Sequence, residues 1–492
     1  MTNSTRSFVI IGAGPAGLTA AYQLTKLGYT PTVVEKAHVV GGLARTENYR
    51  GYHFDMGGHR FYTKSAQVME IWHEVLKDDF LIRPRLSRIF YRGKFFDYPL
   101  KPMNAITGLG IWEAARIVSS YLRWKLTAYS PVETFEQWVT NRFGKRLFEI
   151  FFKSYTEKVW GISCRELRAE WAAQRIKDLS LATALLSMFV KPKGDLRTLI
   201  NEFHYPRLGP GMLWNRVREA IESRGGQVHT KSNVVGIERT DNRVNCIHIE
   251  KNGGREQLCI RGTDFISSMP VTELVRRINP CMSPKTREAA SRLSYRDFLT
   301  VCLIVKRRHV FPDNWIYIHE PGVQVARVQN YKNWSPDMVP NGDKTSLGLE
   351  YFCQQGDDLW RRPDKELVEL GKRELERIGL VPAGDVEDGC VYRMSHAYPV
   401  YDSQYRKYLD KLRHGLGQFE NLQTIGRNGL HRYNNQDHAM LTGIYAVQNA
   451  LTGSSHDLWQ VNADEEYLEE IREDDRSAES LCEITSVRNS KA

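Results

Sequence analysis

The chain lacks any uninterrupted apolar run approaching the roughly 20 residues of a helical membrane span, and its 41% hydrophobic content suits ordinary buried cores. Close cysteine pairs are also missing. The 8 cysteines (Cys164, Cys246, Cys259, Cys281, Cys302, Cys353, Cys390 and Cys482) are scattered, so the short spacings of zinc and dithiol motifs are excluded and reduced, mostly buried thiols are expected, with no metal site. The formal charge is +10, yet acids interleave with the basic residues and leave no dense basic track for a nucleic-acid backbone. No internal repeat is visible. The opening residues Met1 to Arg6 run directly into an apolar strand and leave no room for a signal peptide, which predicts a cytoplasmic address.

What is present begins at that strand. Ser7 to Ile11 leads into Gly12-Ala13-Gly14-Pro15-Ala16-Gly17 and then into an apolar helix pattern, Leu18 to Leu27. Glycines at this spacing permit a tight turn, backbone approach to a pyrophosphate and close helix-to-strand contact, while the helix N-terminus offers N–H donors and positive potential. Thr32 to Glu35 reads as a second strand ending in an acid about 20 residues downstream, where an unphosphorylated adenosine ribose would be held. A second glycine pair follows in Val40-Gly41-Gly42-Leu43-Ala44-Arg45-Thr46, suited to wrapping the pyrophosphate of an extended cofactor. Gly12, Gly14, Pro15, Ala16, Gly17, Glu35, Lys36, Gly41, Gly42, Leu43 and Arg45 are therefore expected to bind a dinucleotide, with FAD preferred over NAD.

At 492 residues, two or three domains are expected. The expected fold class is α/β: a discontinuous Rossmann-like FAD-binding domain drawn from residues 1–62, 204–280 and 393–455, with a helical domain and a second β-sheet substrate domain. Leu213 to Ser223 reads as a helix, Val228 to Thr230 and Val234 to Arg239 as strands, and Cys259 to Ser268 as one strand turning at Pro270. Residues 63–203 read as a mainly helical lid, with Trp112, Tyr121 and Trp124 as a packing stripe, and 281–392 as β-rich. An acidic tail, 456–492, is expected to be a solvated helix followed by disorder.

The segment Val40 to Thr46 resembles the motif of the superfamily of flavoprotein amine oxidases, protoporphyrinogen oxidases and UDP-galactopyranose mutases. Gly57-Gly58-His59 resembles the loop beside the flavin in eukaryotic-type mutases, which implies cofactor roles for Gly58 and His59 and a catalytic role for His59. Lys158-Val159-Trp160-Gly161-Ile162 and Trp171 to Arg175 resemble the mutase segment carrying an aromatic wall and a pyrophosphate arginine. Trp315-Ile316-Tyr317, followed by Arg327, is similar to the strand pair that contacts the nucleotide sugar. Two guanidinium forks, Arg175 and Arg327, would suit a diphosphate through bidentate bonds. Tyr398-Pro399 is similar to a late tyrosine near the sugar. Ile425 to Gly429, then Arg432 to Met440, resemble the strand, loop and helix that close the flavin site, implying Arg427, Asn435 and Gln436 beside the cofactor and Tyr433 beside the substrate. A helix beginning at Gln436 or Asp437 would favour an anionic reduced flavin ring.

The resemblance implies a mutase that converts a UDP-hexopyranose to its furanose form with reduced FAD as nucleophile, so no side-chain nucleophile is expected. It implies Trp160, Arg175, Trp315, Tyr317, Arg327, Tyr398 and Tyr433 as substrate contacts. Thr156 stands where the family usually has asparagine and Trp334 where it tends to have tyrosine, which leaves the sugar open. No second GxGxxG unit for NAD(P)H is visible, although NAD(P)H is a candidate external reductant; the oligomeric state stays open. An FAD oxidase or desaturase, and a flavin-binding scaffold, are the rival readings.

Overall fold

The computed structural model describes residues 6–98, 100–169, 198–199, 202–251, 253–462 and 470–471. At its centre lies a five-stranded parallel sheet in the order Gln227–His229, Thr32–Val34, Phe8–Ile11, Asp264–Ser267 and Leu422–Thr424. Phe8–Ile11 and Asp264–Ser267 are buried along their whole length, as strands covered on both faces must be. The two-residue alternation of a strand divides their side chains. Phe8 and Ile10 join a core built with helices Pro15–Lys26, Pro210–Ser223 and Gln436–Thr452, whereas Val9 and Ile11 face Ile237, Ile247 and Leu274 on the other side. Helices Pro15–Lys26 and Gln436–Thr452 touch at Gly443, where a Cβ would lie 2.4 Å from the Ala16 carbonyl oxygen.

That second core is capped by a four-stranded sheet ordered Glu256–Arg261, Arg243–Lys251, Ser232–Thr240 and Ile278–Asn279. The single strand expected over Cys259 to Ser268 is therefore two strands in two sheets. The chain crosses between them at Gly262, where a Cβ would come within 2.7 Å of Val9 Cγ2, and Thr263, whose N–H donates to Ser7 O at 2.9 Å. Apolar alternation continues across the crossing and cannot reveal it.

A seven-stranded sheet, ordered Val386–Pro399, Tyr295–Val305, Thr345–Cys353, Arg327–Asn330, Trp315–Ile318, Ser87–Tyr91 and Lys94–Asp97, forms the other half of the molecule. Its last two strands, and Phe80–Pro84, which pairs with Glu202–Pro206, add β-structure to the region 63–203 that was expected to be mainly helical. Ser87–Tyr91 runs parallel to Trp315–Ile318, and a buried Asp313 accepts from Arg88 Nε at 2.8 Å. Arginines at 83, 85, 88 and 92 blur the strand pattern, and the partner strand is more than 200 residues away. The remaining described part of the region is helical, including Pro102–Leu109, Ile111–Leu126, Phe135–Phe143 and Ser154–Trp160. Within the aromatic stripe Tyr121 is buried and Trp124 stacks on Tyr129, with ring centroids 4.9 Å apart. Trp112 departs from the packing expectation: it sits in the first turn of its helix and is 84% exposed.

All seven described cysteines are free; Cys259 and Cys281 are exposed rather than buried. No helix among the described residues is long and apolar enough to cross a membrane. Most of the acidic tail, and Cys482, lie outside the described residues.

Candidate functional site

A cleft of about 600 Å³ runs from the first glycine loop to the inner face of the seven-stranded sheet. Its glycine end is made largely of backbone. Gly12 takes φ +97° and donates its N–H to Val34 O at 2.8 Å. A Cβ on Gly17 would lie 2.0 Å from the Gly12 carbonyl oxygen, and one on Gly42 would lie 3.1 Å from Gly14 Cα. The two glycine segments thus lie against each other, and no side chain separates their backbone from the cleft. Pro15 and Ala16 open one helix at this wall, and Gln436 and Asp437 open another. Both positive helix ends face the same space, as an anionic diphosphate requires.

Glu35 is buried at the same end; its carboxylate accepts the N–H groups of Ala13 and Ala37, each at 2.8 Å. An ionised carboxylate has about four acceptor positions, so these two bonds fix Glu35 and leave capacity for a ribose hydroxyl. Arg45 lines the cleft with Nε on Glu47 Oε1 at 2.7 Å. The glycines, the two helix ends and the anchored acid together form a cradle that side chains would fill, and they fit a dinucleotide.

Midway along the cleft, Gly57 (φ +99°) turns the chain so that Gly58 and His59 line the wall. Burial, with Arg427 and Arg327 nearby, pushes the His59 pKa down to about 3. At neutral pH the ring is uncharged. It can orient a ligand by hydrogen bonding without adding charge.

The far end is made of side chains. Tyr317, Arg327 and Glu350 stand in register on three adjacent strands, so their side chains share one face of the sheet. Arg327 Nε donates to Glu350 Oε2 at 3.0 Å and its Nη2 donates to the same oxygen; Gln329 Nε2 donates to the other. Burial opposes the Arg327 charge, but Glu350, with Tyr398 and Tyr155, outweighs it and holds the guanidinium protonated. Tyr398 and Tyr433 stack 5.5 Å apart, and the Arg427 guanidinium lies 4.2 Å from the Tyr433 ring centre. Arg427 also donates to Asn434 O and Ala397 O, each at 3.0 Å, which ties the loop after Gly429 to the end of the long strand. Trp315 stacks on Trp334 at 5.3 Å and meets Tyr317 edge-on at 6.3 Å.

The structure therefore brings Gly12, Gly14, Pro15, Ala16, Glu35, Lys36, Gly42, Leu43, Arg45, Gly58, His59, Trp315, Tyr317, Arg327, Tyr398, Arg427, Tyr433, Asn435 and Gln436 to one cleft. Gly17 and Gly41 shape its backbone from behind. Trp160 stands off the wall, edge-on to Tyr398 at 6.0 Å, and Arg175 lies outside the described residues. Sequence reasoning did not assign Arg60, Phe298 or Trp334 to the wall, nor Glu350 as the partner of Arg327. Arg60 had a signal, since it directly follows His59; Glu350 had none, because only strand register pairs it with Arg327. Seven cationic side chains line the cleft against three acidic ones, a balance that suits an anionic ligand.

Comparison with known proteins agrees with this architecture. The family of flavin containing amine oxidoreductases matches residues 15–451. The L-amino acid oxidase bordonein-L of Crotalus durissus terrificus is 32% identical over 424 residues, 79% of this chain and 74% of that protein. A protein of Klebsiella pneumoniae described as a "probable UDP-galactopyranose mutase" is 28% identical over 175 residues, 33% of this chain and 43% of its own. The 15-cis-phytoene desaturase of Synechococcus elongatus is 26% identical over 293 residues, 54% of this chain and 58% of its own. The chain thus spans about half the length of these last two relatives. A crystal structure of reduced UDP-galactopyranose mutase superposes with a TM-score of 0.81, covering 94% of this chain and 100% of that one at 24% identity, a likeness of fold. With its family match running from the first helix through the last, and with a backbone cradle at its glycine end, the chain belongs to the flavin containing amine oxidoreductases.

Proposed function

We propose that the protein is a flavin-dependent mutase interconverting the pyranose and furanose forms of a UDP-sugar, with FAD active in its reduced state. The observation that carries this reading is the row Tyr317, Arg327 and Glu350, which holds a charged, partly buried guanidinium in the same cleft as the glycine cradle. The partial sequence likeness to the Klebsiella protein and the whole-chain fold likeness to the reduced mutase support it.

When bound and reduced, FAD would supply the nucleophile for the anomeric carbon of the sugar. Arg327 binds the substrate diphosphate, and Arg175 is the second guanidinium of that clamp. Glu350 positions Arg327, so its fork is presented without loss of side-chain freedom. Trp315, Tyr317, Tyr398 and Tyr433 form the aromatic walls around the nucleotide sugar, with Trp160 backing Tyr398. His59, neutral in its desolvated position at the cleft wall, orients the reacting groups. Gln436 and Asn435, at the start of the last long helix, aim positive potential at the flavin ring. Trp334, stacked on Trp315, narrows the sugar-nucleotide end and bears on which sugar fits; Thr156 is buried away from the cleft wall. A donor of the NAD(P)H class reduces the flavin, and the free thiols suit a cytoplasmic setting.

The second reading is an FAD-dependent oxidase or desaturase, favoured by the long alignment with a venom L-amino acid oxidase. Anaerobic incubation of prereduced enzyme with a panel of UDP-hexoses separates the two. A mutase interconverts pyranose and furanose forms over many turnovers per flavin and is inactive when oxidised. Absence of exchange, together with stoichiometric acceptor reduction by an amino acid or an apolar substrate, would replace the mutase reading with the oxidoreductase one.

A further inference from the structure

The outer face of the four-stranded sheet carries a cluster that the cleft does not use. In the antiparallel register Glu238 stands opposite Cys246, and His248 stands opposite Cys259. Two-residue alternation sends Ile237, Ile247 and Ile249 into the core and turns these four side chains to the other side. Donor atoms of Cys246, His248 and Cys259 all lie within 4.8 Å of one another. Cys246 Sγ is 3.7 Å from His248 Nε2 and 3.5 Å from Glu238 Oε2, and Glu238 Oε2 is 3.3 Å from His248 Nε2.

We propose that Cys246, Cys259, His248 and Glu238 form a four-ligand site for a soft or borderline divalent metal ion of the zinc class. Zinc bonds of about 2.3 Å to sulfur and about 2.0–2.2 Å to nitrogen or oxygen, arranged tetrahedrally, place neighbouring ligand atoms roughly 3.3–3.8 Å apart. The three separations above fall in that range. Thiolate and imidazole donors select zinc-like ions over magnesium or calcium, which prefer all-oxygen shells. Two thiolates, one carboxylate and a divalent ion leave one net negative charge, and Arg261 stands opposite Cys246 in the register to balance it.

The site is structural rather than catalytic. With Glu238, which reaches Cys246 and His248 from outside the three-residue group, turned in as fourth ligand, all four positions are taken by protein, and none of the four residues lines the cleft. The ion would pin strands Ser232–Thr240, Arg243–Lys251 and Glu256–Arg261 to one another. The first of these begins with Ser232, Asn233 and Val234, which do line the cleft at the glycine end, so the pin would steady that wall. The inference does not depend on whether the enzyme is a mutase or an oxidase. It also explains why cysteine spacing in the sequence held no metal motif: the ligands meet across strands, with 12 residues between Cys246 and Cys259.

The test is titration of reduced, metal-free holoprotein with Co2+, read by thiolate-to-cobalt charge-transfer absorption, followed by displacement with Zn2+ and native mass spectrometry. One ion per chain with a thiolate band is expected. Cys259→Ser, at an exposed position, should keep its flavin yet weaken Co2+ binding by more than about a hundredfold, since even an outer-shell partner is worth on the order of 10–100-fold. His248→Ala should do the same. Absence of a thiolate band at saturating Co2+, binding unchanged in both variants, or a Cys246–Cys259 disulfide that persists in protein isolated under reducing conditions would each overturn the proposal.

Discussion

The two ends of the cleft are built from different materials. At the glycine end the wall is backbone: strand ends, two glycine segments and two helix N-termini, with Glu35 tied to main-chain N–H groups. At the far end it is side chain: an arginine charged by a buried carboxylate, four aromatic rings and a second arginine stacked on one of them. Backbone recognises what many ligands share, a diphosphate and a ribose, and tolerates little change in the residues that expose it. Side chains on a rigid sheet recognise what is particular to one substrate, and they can be exchanged without disturbing the scaffold. The family match covers both ends, yet the relatives named above include an oxidase, a desaturase and a probable mutase, as this division of labour would lead one to expect.

The largest effect should follow from changing the backbone end. Gly17→Val would drive a branched side chain into the Gly12 carbonyl, which already lies 2.0 Å from the Cβ position. We expect loss of essentially all bound flavin and a lower thermal midpoint, read from visible absorbance per chain and a melting curve. Gly14→Ala sharpens the point, because its Cβ would meet only Gly42 Cα at an ordinary 3.8 Å. That variant should fold normally and lose flavin affinity alone. Equal loss of stability in both variants would show that the loop is a packing element rather than a cradle.

At the side-chain end, Arg327→Ala leaves the fully buried Glu350 without its cation. Breaking a buried ion pair by removing one partner costs about 3–5 kcal/mol, so a clear drop in denaturation midpoint is expected while bound flavin is retained. Arg327→Met combined with Glu350→Gln should recover much of that stability without restoring UDP binding, measured by the flavin spectral change on UDP addition. Loss of flavin in the single variant would erase the distinction between the two ends.

The smallest effect concerns the seam between them. Asp55 ends the strand Tyr52–Asp55 just before the Met56-Gly57 turn at the cleft; burial raises its pKa to about 7, partly countered by bonds from the Tyr205 and Thr46 hydroxyls. The folded carboxyl keeps its proton up to that pH, whereas the unfolded one loses it near the ordinary carboxylate value. Over the window between the two values the unfolded chain binds fewer protons, so this group makes stability fall as pH rises and then level off above about 7. The slope is at most about 1.4 kcal/mol per pH unit. Asp55→Asn removes it, so the thermal midpoint of the variant relative to the parent should increase between about pH 5 and pH 8. A difference that is flat with pH would mean that Asp55 is ionised in the folded protein throughout.

How much of this was legible differs along the same divide. The glycine loop, its strand and helix, and the acid at Glu35 lie within some 30 residues, and local backbone chemistry alone forces their arrangement. The helix after Asn435 was equally readable, and it begins at Gln436 as its capping pattern indicates. The hairpin Ser87–Tyr91 and Lys94–Asp97 was not, because its arginines break the alternation and its partner strand is remote. The crossing at Gly262 was hidden by continuous apolar alternation. Trp315, Tyr317 and Arg327 could be named one by one, but not the carboxylate that charges the arginine.

By itself, then, the sequence determined the dinucleotide loop, the α/β class and the residue types available at the substrate end, since each depends on glycine freedom, short-range periodicity or composition. Tertiary structure alone decided that Arg327 meets Glu350, that Tyr398 stacks on Tyr433 beneath Arg427, and that two cysteines, a histidine and a glutamate share one outer sheet face. Those pairings arise from strand register and from the docking of segments 21 to 35 positions apart, and neither is encoded by any local run of side chains.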